Sequence, residues 1–172
     1  MRQLAYLIIL TLTFLSCIQR DIDMKAKIAL DSLKREELKI TIINDTNQTK
    51  YITDNYTSSW TPTLNQLLTI DSILEKAIRD NGKDYYRHLK PITFKNYYRQ
   101  YVCYIENNGD SVAFINAFYK IDFRPMPGDS VKRRDDWQFY LIEVKDGGDC
   151  YWNISINLSK KKYYNFIVNG NA

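Results

Sequence analysis

Nine residues, Cys150–Leu158, alternate without a break. Cys150, Trp152, Ile154, Ile156 and Leu158 are apolar, while Tyr151, Asn153, Ser155 and Asn157 carry polar groups. That period of two belongs to a β-strand with one dry and one wet face. A one-residue slip would turn the apolar set into water, so the register is strongly specified. Upstream, Trp137–Val144 is also β-prone, and Asp146-Gly147-Gly148-Asp149 separates the two runs. Gly147 and Gly148 can both take positive φ, as tight hairpin turns demand. The spacing therefore predicts a hairpin with Lys145 opposite Cys150, Glu143 opposite Trp152, Leu141 opposite Ile154, Phe139 opposite Ile156 and Trp137 opposite Leu158. Such a stretch implies an antiparallel sheet and no particular chemistry.

A sheet with an apolar face needs an apolar partner. The clearest candidate is a helix over 62–80. Thr61 is placed to cap it, and Pro62 suits the first helical position. Leu64, Leu67, Leu68, Leu74, Ala77 and Ile78 fall on one face at helical spacing, broadened by Ile70 and Ile73. Arg79 favours the last turn, and Asn81-Gly82 supplies a stop. Earlier, Lys25–Glu37 reads as a weak helix. Leu38–Ile43 and Tyr51–Thr53 read as a β-ribbon around the polar turn Asn44–Thr49.

After the helix, Ile92–Glu106 is one long β-prone stretch that needs a bulge or bend. Asn108-Gly109 signals a hairpin pairing Cys103 with Phe114, Ile105 with Val112 and Arg99 with Phe118. Ile121–Asp135, with Pro125, Pro127 and Gly128, is a loop; Ser159–Lys161 is a turn and Tyr163–Val168 a last strand. The expected fold class is α+β: one main helix packed on one face of a curved antiparallel β-meander. In outline this resembles cystatin-like or NTF2-like architecture.

The 172 residues suffice for one domain, and 45% hydrophobic with 26% charged residues marks an ordinary globular chain. The amino terminus stands apart. Arg2 precedes Leu4–Leu15, a run of twelve residues interrupted only by Thr11 and Thr13. A membrane-spanning helix needs about twenty apolar residues. The run has the length of a signal-peptide core, and Cys17 follows the small Ser16 directly. Phe14-Leu15-Ser16-Cys17 resembles the lipobox of bacterial lipoproteins, although Phe and Leu depart from its usual Leu-small-small-Cys. The resemblance covers residues 1–17. It implies cleavage before Cys17, lipidation (including palmitate) of that cysteine, and anchoring in the cell envelope. A plain secretory signal with an incidental Cys17 is the alternative.

The chain thus divides into a signal peptide (1–16), a lipidated cysteine and tether (17–24) and one α+β domain (25–172). By the same resemblance Ile18 is compatible with delivery to the outer membrane, with the periplasmic or surface face left open. Cleavage removes Arg2 and no acid, taking the formal charge from +4 to +3. So mild a balance gives no argument for nucleic acid as a partner, which would in any case be absent outside the cytoplasm. Cys103 and Cys150 remain, and an oxidising compartment would permit a disulfide between them or leave two packed thiols.

No catalytic signature occurs. There is no nucleophile elbow, phosphate loop or metalloprotease helix motif. His88 is the only histidine, so Cys103 or Cys150 with His88 is the only Cys–His option, and no local pattern joins them. The His and Cys supply is thin for zinc, and no cofactor or metal is expected. Glu143, at the rim of the dry face, lacks a partner acid for glycoside hydrolysis.

Fourteen tyrosines are the most suggestive feature, with doublets at Tyr85-Tyr86, Tyr97-Tyr98 and Tyr163-Tyr164. Tyr98, Tyr104, Tyr119 and Tyr151, with Tyr140, could form an aromatic platform on the wet face, suited to glycans or an envelope protein. Good strand propensity accounts for tyrosine equally well. Lys132-Arg133-Arg134 and Lys160-Lys161-Lys162 are basic runs in loops, open to anionic headgroups or simply solvated. The expectation is a lipid-anchored envelope protein serving as a non-catalytic binding or assembly module. The alternatives are an envelope hydrolase using scattered carboxylates and His88, or an inert structural subunit.

Overall fold

The outer strand partners of the central sheet come from opposite ends of the chain. The computed structural model describes residues 39–82, 86–120, 137–144 and 146–170. The expected signal peptide, Cys17 and tether, the expected Lys25–Glu37 helix and the expected Ile121–Asp135 loop with its basic run lie outside the described residues. Among those described, six strands form one sheet: β1 Ile40–Ile42, β2 Ser58–Ser59, β3 Tyr98–Ile105, β4 Ser111–Phe118, β5 Tyr151–Asn157 and β6 Lys162–Val168. The order is β1-β3-β4-β5-β6. β1 runs parallel to β3 along Arg99–Tyr101, and β2 pairs antiparallel with Tyr104 and Ile105 of the same strand. All other pairings are antiparallel. The fold is α+β, as expected.

The main helix, α2 (Leu64–Asn81), lies where periodicity put it, with two changes. Its cap is Thr63, not Thr61. The Thr63 hydroxyl accepts from the Gln66 N–H, and the Gln66 side chain accepts from the Thr63 N–H, a reciprocal pair that fixes the start. The buried stripe is Leu67, Ile70, Asp71, Leu74, Ala77 and Ile78, and Leu68 is 56% exposed. These residues pack on Tyr97, Tyr101 and Cys103 of β3 and its approach, Ala113, Ile115 and Ala117 of β4, and Trp152, Ile154 and Ile156 of β5. Trp152, Ile154 and Ile156 are at most 1% exposed, so the dry face read from β5 holds. Each large side chain buried this way stabilises by about 1.5–3 kcal/mol.

One charge sits in that stripe. Asp71 Oδ1 accepts from Arg99 Nη1 at 2.7 Å, and Arg99 is fully buried under the Phe94 ring at 5.4 Å. A buried guanidinium persists only when paired.

Three further expectations are corrected. Asn44–Thr53 is not a turn and strand: Thr46–Ile52 is a helix, α1, because Asp45 caps it by accepting from the Gln48 N–H at 2.9 Å. The Asn108-Gly109 register is one residue off. Cys103 faces Ala113 and Ile105 faces Ser111, since Gly109 (φ +88) donates to Glu106 and adds a third loop residue. The long Ile92–Glu106 stretch does bend, as expected, at a 3₁₀ turn over Phe94–Asn96 before β3 starts.

The third correction is the hairpin of Trp137–Val144 with Cys150–Leu158, which does not form. β5 is flanked on both sides, by β4 and by β6, so no ladder position remains for residues 137–144. Gly147 and Gly148 do take positive φ, at +112 and +56, but they lead into a 3₁₀ turn, Gly148–Cys150, not a two-residue loop. β6, the last strand, carries an extra residue opposite Asn153–Ser155, with Asn165 at φ +50.

Candidate functional site

Residues 137–144 cross the sheet face opposite α2. Their backbone groups, with no strand to pair with, are held by amide side chains. Gln100, fully buried on β3, donates through Nε2 to the Trp137 and Tyr140 carbonyls at 2.5 and 2.6 Å. Its Oε1 accepts from the Ile142 N–H at 2.9 Å and from Asn116 Nδ2 at 2.8 Å. Asn116 also donates to the Ile142 carbonyl, and Asn169 to the Val144 carbonyl. Gln48 of α1 accepts from the Leu141 N–H at 3.1 Å. Trp137 closes one end against Tyr98 and Phe118, with ring centroids 5.2 and 6.0 Å away.

This second layer leaves a cleft of about 230 Å³. Tyr51 and Ile52 of α1, residues Leu141–Val144, Phe114 and Asn116 of β4, and Tyr151 and Asn153 of β5 line it, with Asn169. The Asn153 amide is half-buried and has no hydrogen-bond partner among the described residues. Glu143 stands at the rim, exposed, and accepts from the Tyr51 hydroxyl at 3.0 Å. That bond, and the carboxylate charge behind it, raise the Tyr51 phenol above its ordinary pKa. The cleft therefore offers aromatic faces, one unengaged amide and one carboxylate at a water-accessible mouth.

The proposed aromatic platform does not form as one surface. Tyr151 lines the cleft. Tyr98 stacks on Phe118 at 5.6 Å, and Tyr104 is 3% exposed. Tyr119 packs on the α2 side, against Tyr97 and His88. The supposedly wet positions Ser155 and Asn157 are buried as well, because the meander brings Tyr164 and the Asp110 turn over them. Tyr140 is exposed, beyond the cleft lining.

At the open end of β5 a second grouping occurs that periodicity could not reveal. His88, Asp149 and Cys150 each present a metal-ligating atom, all within 4.8 Å of one another. Asp149 Oδ2 accepts from the His88 and Leu89 N–H groups at 2.5 and 3.1 Å, and its carbonyl accepts from the Tyr97 hydroxyl at 2.6 Å. The His88 ring stacks on Tyr119 with centroids 4.7 Å apart. Burial pushes the Cys150 thiol pKa up, helped by the Asp149 charge and opposed by Lys120 and Arg87. Burial likewise holds the Tyr97 phenol well above the usual tyrosine range.

The Cys103–Cys150 disulfide is not formed; both cysteines are free. β4 lies between their strands. Cys150 bonds to Tyr119, which continues the β4 register opposite Tyr97, six residues from Cys103. That offset is about 20 Å along a strand, beyond any disulfide span.

Among the described residues no helix is long and apolar enough to cross a membrane. No protein family, no curated protein and no solved structure matches this chain.

Proposed function

We propose that this chain is a lipid-anchored cell-envelope protein whose cleft binds one sugar unit of an envelope glycan, without turnover. One observation carries the ligand class: the Asn153 amide, unengaged and half-buried, beside Tyr151 and within a cleft edged by Glu143. A sugar hydroxyl both donates and accepts, and an amide with a carboxylate answers both needs. Aromatic walls suit the apolar faces of a sugar ring. At about 230 Å³ the cleft falls below the usual range for drug-sized ligands and suits a single ring. The Met1–Cys17 segment supports the anchor.

Calorimetric titration of the full chain with neutral and acidic oligosaccharides tests the reading. Asn153→Ala should weaken binding roughly 5- to 100-fold, the cost of an unmade hydrogen bond in a part-buried site. Saturable binding of peptides alone, or unaltered sugar affinity in that variant, overturns it. Cys17→Ala should release the protein into soluble fractions, and membrane retention in that variant removes the anchor.

The proximity of His88, Asp149 and Cys150 favours a second reading, an envelope hydrolase with Cys150 as nucleophile. A nucleophilic thiol needs a depressed pKa and a base on its sulfur. Here the thiol is shifted upward, and the carboxylate is occupied by backbone N–H groups. The binding reading is the better supported.

A further inference from the structure

We propose that His88, Asp149 and Cys150 form a binding site for a divalent transition metal of the zinc class, separate from the cleft. Three donors of different softness converge: an imidazole nitrogen, a carboxylate oxygen and a sulfur, all within 4.8 Å of one another. Ligand atoms around one tetrahedral ion are about 3–4 Å apart, so rotation of two short side chains by about 1 Å would close the set. The sulfur and nitrogen select against calcium and magnesium, which take oxygen.

The backbone beneath these donors is fixed, and the Asp149 carboxylate keeps one of its two oxygens unengaged. Asp149 spends Oδ2 on the His88 and Leu89 N–H groups, and Oδ1 has no partner among the described residues. The Cys150 carbonyl accepts from the Tyr119 N–H at 2.9 Å, and its own N–H donates to Gly147. The Gly148 N–H donates to the Gly170 carbonyl at 2.9 Å, which ties the turn to the chain beyond β6. Tyr119 stacking sets the His88 ring plane, and the Tyr97 hydroxyl holds the Asp149 carbonyl. Hydrogen bonds of this kind orient ligands in metal sites. Three protein ligands leave a fourth position for water or a small anion.

Cobalt(II) titration of the full chain in detergent tests the site. Saturation at one ion per chain should bring a thiolate-to-cobalt charge-transfer band in the near ultraviolet. Cys150→Ser should abolish that band, and Cys103→Ser should leave it unchanged. His88→Ala should lower zinc affinity by about 100-fold or more, at or above the cost of losing an outer-shell partner. Zinc should also raise the melting temperature of the parent chain and fail to raise that of His88→Ala. This last readout stands even if the serine variant folds poorly. No band, a band that persists in Cys150→Ser, or equal zinc stabilisation of His88→Ala overturns the proposal.

Discussion

The two faces of the sheet are covered by different physics. Under α2, one cluster of apolar side chains from helix and strands excludes water, with the Arg99–Asp71 ion pair inside it. On the opposite face the buried apolar residues are fewer: Ile43, Val102, Tyr104, Val112, Phe118 and Trp137. There, Gln48, Gln100, Asn116 and Asn169 act as a substitute ladder for a stretch of chain that has no strand beside it. Hydrophobic packing is non-directional and tolerates small shifts. Amide hydrogen bonds are directional and leave gaps where they do not reach. The cleft lies on the side built by hydrogen bonds.

The contrast can be broken first at the ion pair. Asp71→Ala should destabilise the chain by about 3–5 kcal/mol in urea unfolding, because Arg99 keeps its charge in the core. Asp71→Leu with Arg99→Met should recover most of that loss. A small effect of the single substitution would mean that water reaches the helix side.

Gln100→Ala comes next, at roughly 2–3 kcal/mol for four hydrogen bonds to neutral partners. Hydrogen exchange should then quicken at the amides of Leu141 and Ile142 while those of α2 stay protected. Equal loss on both faces would make the two layers one cooperative unit. Gly147→Ala should cost roughly 1–2 kcal/mol, since φ is +112 and the added carbon would sit 2.6 Å from the Tyr151 ring. The displaced ring should also weaken ligand uptake in the cleft.

The smallest effect concerns acid. Lys160 above all, with the Asn157 amide, holds the Asp110 carboxyl below its ordinary pKa. A depressed folded pKa adds stability that is complete above the unfolded value and is lost as pH falls through the folded one. The denaturation midpoint of the parent chain should therefore drop more steeply below about pH 4 than that of Asp110→Asn.

These faces also differ in how well the sequence announces them. Leu67, Leu74 and Ile78 recur at helical spacing, and Trp152, Ile154 and Ile156 alternate, so the helix side is readable from period alone. Asp71 falls in the same stripe, yet its partner Arg99 is 28 positions away and no local rule joins them. Residues 137–144 look like a strand because Trp, Phe, Tyr, Leu, Ile and Val favour extended backbone. Their true partners are side chains up to 97 positions distant, glutamine and asparagine foremost, with the Thr41 hydroxyl. A single glutamine inside a β-prone run, as at Gln100, was the available clue. The His88–Asp149–Cys150 grouping spans about sixty residues and depends on the 3₁₀ turn after Gly147, which hairpin rules replaced with a tight loop.

The margins of the sheet carry a last consequence. On one side β3 is fenced by two segments of three and two residues running in opposite senses. On the other, the extra residue at Asn165 and the exposed Lys161 and Lys162 interrupt the outermost ladder. Interruptions, brevity and lysine are what discourage lateral templating. Among the described residues, copies of this chain crowded together would find no continuous rail along which to polymerise.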